Sequence, residues 1–200
     1  MRINPFKRLV LQKTLEKELL YEKSMVREMK FLDNFLNQTG FDLVINNSVK
    51  QNLVKRGNPY TIEVEFYSRE PDPKQEPESD EEDSKEEQEA SDLCNFYITV
   101  HKPHNYLNIE CHTENSQIIL HDLLFTQEKP QDLRKLFQPK FPGVNFNMLN
   151  PTIQKQFVEW LQEIGIHADL AKFIEIQSLI QEQNLYLYWL DSTMQFLNTN

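Results

Sequence analysis

Apolar residues recur at helical spacing through residues 1–37. Leu15, Leu19, Val26, Met29, Leu32 and Leu36 are separated by charged and polar positions, which predicts an amphipathic helix. Pro5 suits its start, and Gly40, after Asn37-Gln38-Thr39, suits its stop. Beyond Gly40 the period drops to two. Leu43, Ile45, Val49 and Leu53 share one parity. Ile62, Val64 and Phe66 alternate with Thr61, Glu63 and Glu65; Cys94, Phe96, Ile98 and Val100 alternate with Asn95, Tyr97 and Thr99; Leu107, Ile109 and Cys111 alternate with Asn108, Glu110 and His112. A denser apolar run follows from Ile118 to Phe125. Alternation with one polar parity predicts strands with one covered face. The breaks Arg56-Gly57-Asn58-Pro59 and Lys102-Pro103-His104-Asn105 predict short turns, hence an antiparallel meander.

The helical period returns at Asn150-Pro151, an N-cap followed by proline at the first helical position. Ile153, Phe157, Trp160, Leu161 and Ile164 share a face, and Gly165 ends the helix. A second helical stretch begins near Ala168 and carries Leu170, Phe173 and Ile174, then Leu187, Leu190, Met194 and Leu197. The polar Gln181-Glu182-Gln183-Asn184 between these groups reads as a kink or an exposed turn of one long helix. The fold class is therefore α+β, with all 200 residues in a single domain.

Charge changes the picture at one place. The chain carries a formal net charge of -10. Residues 70–92 hold twelve acids against two lysines, and the remaining nineteen acids are balanced by nineteen Lys and Arg. One segment thus carries the whole imbalance. It contains Pro71, Pro73 and Pro77 and no aliphatic residue larger than Ala90, so it cannot bury enough surface to offset the entropy of ordering. It reads as a disordered acidic loop at 70–92 inserted between two strands. Its candidate partner-binding residues are Asp80, Glu81, Glu82, Asp83, Glu86, Glu87 and Glu89. The first seventeen residues are the reverse, with Arg2, Lys7, Arg8, Lys13 and Lys17 against Glu16. That is either the remnant of an organelle transit peptide or a helix with a basic first turn.

The C-terminal wording is specific. Leu149-Asn150-Pro151 leads into Gln154-Lys155-Gln156-Phe157-Val158-Glu159-Trp160-Leu161. The turn Gly165-Ile166 follows, then Ala168-Asp169-Leu170-Ala171-Lys172-Phe173-Ile174, and Tyr188-Trp189-Leu190 near the end. This set resembles the signature of the mitochondrial acidic matrix protein family, which includes the complement globular-head receptor, and the Gly40-Phe41 to Tyr67 segment resembles that family's first strands. The resemblance implies a twisted antiparallel sheet of about seven strands, flanked by one N-terminal and two C-terminal helices, in a ring-shaped homotrimer of the mitochondrial matrix. Leu15, Leu19, Val26, Leu187, Leu190, Met194 and Leu197 are then the candidate trimer-packing residues, with the two terminal helices packing together and against a neighbour. The region 127–143, with Pro130, Pro139 and Pro142 around Leu133-Arg134-Lys135-Leu136-Phe137, does not map onto the family pattern.

Reactive chemistry is sparse. The four glycines are isolated, so no phosphate-cradling loop is present, and no Gly-x-Ser-x-Gly elbow occurs. His101, His104, His112 and His121 lack metal-ligand spacing and read as surface and edge residues. Glu63 and Glu65 share a side and read as a solvated face. Cys94 and Cys111 read as small buried hydrophobes. No catalytic residue, cofactor or metal is assigned, and no run of apolar residues is long enough to span a bilayer. The expected role is a non-enzymatic scaffold that captures basic mitochondrial proteins, without direct nucleic-acid contact. The rival is a structural subunit held in a larger complex by its apolar helices.

Overall fold

The computed structural model describes residues 5–25, 30–44, 49–67, 94–137 and 143–198. The N-terminal helical pattern appears as two spans, α1 (Pro5–Met25) and α2 (Lys30–Thr39). Gly40, at a φ of 72°, ends α2 by donating its N–H to the Leu36 carbonyl at 3.1 Å. A left-handed residue is what such a stop requires, and glycine adopts it without steric cost.

Seven strands follow: β1 (Asp42–Val44), β2 (Lys50–Arg56), β3 (Thr61–Tyr67), β4 (Asn95–Lys102), β5 (Asn105–Glu114), β6 (Gln117–Thr126) and β7 (Val144–Asn145). They lie side by side in chain order and pair antiparallel throughout, as the meander predicts. The shared parity of Leu43 and Leu53 turns out to span two strands. The two residues are register partners across β1 and β2, and directly opposite residues point to the same side of a sheet. His104 (φ 61°) shapes the β4–β5 turn; Asn115 and Ser116 (φ 51° and 57°) shape the β5–β6 turn. Two consecutive left-handed residues match the twist of a tight hairpin.

Ile62, Val64, Phe66, Phe96, Ile98, Val100, Ile109 and Cys111 form the core face of the sheet. Against it pack α2, α4 (Pro151–Glu163) and the first half of α5 (Ala168–Asn198). Phe35 and Phe173 meet at 4.7 Å between ring centroids, and Tyr60 meets Trp160 edge-on at 5.7 Å. The start of α4 is as read: Asn150 Oδ1 accepts from the Thr152 N–H at 2.9 Å, and Pro151 opens the helix. At its other end Gly165 takes a φ of 99°, and Lys55 Nζ donates to the Ile164 carbonyl at 3.2 Å, a cation at the negative end of a helix.

The single helix α5 runs unbroken through the polar stretch. Gln181 is buried rather than exposed, as are Gln177 and Ser178. Gln177 Nε2 donates to Gln51 Oε1 at 3.1 Å and Ser178 Oγ donates to the Tyr67 carbonyl at 3.1 Å, so polar side chains pin the helix to β2 and β3. Beyond them α5 pairs with α1, antiparallel: Gln12 reaches the carbonyl of Leu197, and Gln183 reaches Glu22.

The second face of the sheet is more covered than its polar alternation predicts. Glu65, Tyr97, Thr99 and Asn108 are all buried. Thr99 Oγ1 donates to Asn108 Oδ1 at 3.0 Å, and Asn108 Nδ2 donates to the Leu124 carbonyl and to Thr126 Oγ1. Part of the cover is the segment that fits no family pattern. It forms a short helix, α3 (Leu133–Leu136), capped by Asp132, whose Oδ1 accepts from the Lys135 N–H. Leu133 is buried, Phe137 stacks on Tyr97 at 5.7 Å, and the Arg134 guanidinium lies over the Tyr67 ring at 5.4 Å.

Candidate functional site

The acidic residues Asp80, Glu81, Glu82, Asp83, Glu86, Glu87 and Glu89 lie outside the described residues. Their points of attachment do not. The last residue described before the acidic segment is Tyr67, at the end of β3, and the first after it is Cys94, before β4. Phe66 and Phe96 are register partners in the two strands. The segment therefore leaves and re-enters the sheet at one end, from neighbouring strands.

That end of the sheet has its own electrostatics. Glu65 is buried, ion-paired to Lys50, and accepts from the Tyr67 hydroxyl at 2.5 Å. It is not the solvated carboxylate that alternation predicts, because the Lys50 ammonium and the Tyr67 hydroxyl take the place of water. Burial and the neighbouring Glu65 carboxylate push the Tyr67 hydroxyl well above the usual tyrosine range. Glu175 of α5 accepts from the Ser116 N–H at 3.0 Å and from its Oγ at 2.7 Å, tying α5 to the β5–β6 turn. At the opposite end of the sheet lie Arg56, Lys102 and Lys129. Lys129 pairs with Glu63 at 2.7 Å, and His101 stands 3.3 Å from the same carboxylate.

Two histidines read as separate surface residues are in contact. His112 of β5 and His121 of β6 stack at 4.6 Å between centroids, with an interplanar angle of 26°, and His112 Nδ1 and His121 Nε2 share a hydrogen bond. A β-bulge joins them. Ile109 pairs with Leu123 and Cys111 with Leu120, so His121 and Asp122 stand together opposite Glu110. Burial, then proximity to Asp122, raises the Glu110 carboxyl, and burial lowers the His112 imidazole. Cys94 and Cys111 are free and buried, and burial pushes the Cys111 thiol up.

Six of the seven candidate packing residues come together. Leu15, Leu19 and Leu190 form a buried cluster flanked by Leu187, Met194 and Leu197, the seam between α1 and α5 of one chain. Val26 lies outside the described residues. Around the seam, Leu20, Tyr21, Tyr188, Trp189 and Phe196 are exposed.

A family model described as mitochondrial glycoprotein (MAM33) matches residues 15–197. The chain belongs to that family. Among solved structures, a hypothetical protein from Leishmania major, described as a sequence homologue of human p32 protein, is 14% identical. The match covers 96% of this chain and 99% of the other, with a TM-score of 0.71. The p22 protein of Trypanosoma brucei is 16% identical, over 96% of this chain and all of the other, also with a TM-score of 0.71. At these identities the likeness is one of fold. No curated protein matches the sequence. Membership of the mitochondrial glycoprotein family points to a mitochondrial location. No helix among the described residues is long and apolar enough to cross a membrane.

Proposed function

We propose that this chain is a non-enzymatic, chaperone-like scaffold of the mitochondrial matrix that captures basic proteins through its acidic segment. The observation that carries the reading is the segregation of charge: residues 70–92 hold the entire net -10, and the rest of the chain is balanced. A chain uniformly acidic would be merely soluble; a concentrated anionic segment attracts cations over a Debye length and raises their rate of encounter. The strands that precede and follow the segment, β3 and β4, are neighbours in a packed sheet, so its two points of attachment lie at one end of that sheet. In a homotrimer, three copies would bring about -30 to one face. Leu15, Leu19 and Leu190 are consumed within the chain, so the contact with a neighbouring copy falls on the exposed residues beside them, such as Tyr21 and Trp189. The partners would be lysine- and arginine-rich proteins of mitochondrial translation, RNA processing or oxidative phosphorylation.

The test is replacement of the twelve acids of 70–92 by Ser and Asn. Loss of basic proteins from affinity capture at low salt, with the circular dichroism of the body unchanged, supports capture; undiminished capture refutes it.

A second reading rests on the exposed aromatics. Trp189 is 54% and Phe196 78% exposed on α5, surface suited to a structural subunit held by apolar contacts. Complexes held that way persist in half-molar salt, where charges are screened beyond about 4 Å.

A further inference from the structure

We propose that His112 and His121 form a two-imidazole clamp for a divalent transition-metal ion of the zinc type. The clamp is independent of electrostatic capture by the acidic segment.

The geometry comes from the pairing of β5 and β6. His112 pairs with Ile119, and His121 lies two residues further along β6, on the same face and diagonal to His112. The bulge opposite Glu110 follows at once, and the His121 ring lies over that of His112. His112 Nδ1 and His121 Nε2 then point at one another from adjacent strands, within hydrogen-bonding distance. A slight opening of the rings admits an ion that binds both nitrogens at about 2.0–2.1 Å each. Adjacent strands hold both ligands in place, so little side-chain entropy remains to be lost on binding.

The donor set decides the class of ion. Two imidazoles suit zinc, copper(II) or nickel(II), whereas magnesium and calcium prefer all-oxygen sites. Glu110 and Asp122 flank the pair at the bulge, and Glu114 follows two residues after His112 on β5. These carboxylates give the approaching cation a negative surround. Among the described residues no three His, Cys, Asp or Glu converge on one point, so the chain supplies two ligands. Water, or a donor from another molecule, completes the coordination. In the neutral pair one ring donates its N–H to the other. When the ion enters, that hydrogen moves to the donor ring's second nitrogen, both facing nitrogens bind the metal, and no net proton is released.

The test is calorimetric titration of metal-free full chain with zinc chloride, in excess magnesium to occupy loose acidic sites. One saturable zinc per chain is expected. Affinity should fall about tenfold or more in His112→Ala and in His121→Ala, and stay unchanged in His104→Ala, which alters the distant β4–β5 turn. Ring nitrogen resonances of the wild-type protein give a readout free of any folding defect in the variants: zinc should shift His112 Nδ1 and His121 Nε2 together. No saturable zinc binding, binding retained in His121→Ala, or ring shifts confined to other histidines would overturn the clamp.

Discussion

Phe66 and Phe96 stand opposite one another across β3 and β4, both fully buried, although the acidic segment separates them in the chain. β3 and β4 pair as neighbours all the same. Closing a longer loop costs little extra entropy, since each doubling of loop length adds only about 0.6 kcal/mol.

Excision follows directly. Replacing residues 70–92 by a short Gly-Ser link should leave cooperative thermal unfolding in place, with a melting temperature equal to or above that of the full chain, because self-repulsion is removed. Differential scanning calorimetry checks this. A broad or absent transition would mean that the segment contributes to the packed body.

Leu190 is 1% exposed in the seam with Leu15 and Leu19, and α1 packs chiefly on α5. Leu190→Ala should cost about 2–4 kcal/mol in that seam, by lost transfer energy and the cavity left behind. The seam is a cluster distinct from the sheet core, so hydrogen exchange should quicken in α1 and distal α5 while β3, β4 and β5 stay protected. Uniform loss of protection would show one indivisible core.

The raised Tyr67 hydroxyl links stability to alkaline pH. Its folded value lies above the ordinary value of 10.0, chiefly through burial and then Glu65. Between those two values the native state holds a proton that the unfolded chain has released, so stability falls as pH rises above about 10. Tyr67→Phe should flatten that fall while losing the hydrogen bond to Glu65. Urea unfolding across the alkaline range measures both. A Tyr67→Phe variant as alkali-sensitive as wild type would place the sensitivity elsewhere.

Asp132 works in the opposite direction. The Lys135 N–H bonded to its carboxylate holds its value below the usual carboxylate range. Its contribution is present above the unfolded value and lost as pH falls through the folded one. Asp132→Ala should loosen the cover over Tyr97 and Tyr67, read as increased tyrosine quenching by acrylamide near neutrality. Below the folded value that difference from wild type should shrink.

Much of this architecture was legible because its signals are local. Alternation placed Ile62, Val64, Phe66 and Ile98 on the core face, and Asn150-Pro151 and Gly165 bounded α4. What escaped depends on contacts distant in sequence. Glu65 reads as solvated until Lys50 and Tyr67 are brought to it. Gln181 reads as part of a kink or an exposed turn, yet it is buried, and on the same helix Gln177 and Ser178 find partners on β2 and β3. His112 and His121 read as separate surface residues until the pairing of β5 and β6 sets them against one another. Residues 127–137 have no regular period, yet two apolar side chains, Leu133 and Phe137, suffice to seat them on the second face.

Capture of cationic partners by residues 70–92 is tested most directly by fluorescence anisotropy of a labelled lysine-rich peptide, titrated with the full chain over a range of salt. Affinity should fall linearly in log–log form as salt rises, vanish by half-molar salt, and be absent when the twelve acids are neutralised. Binding that persists unchanged in half-molar salt, or that survives neutralisation of the segment, would contradict it.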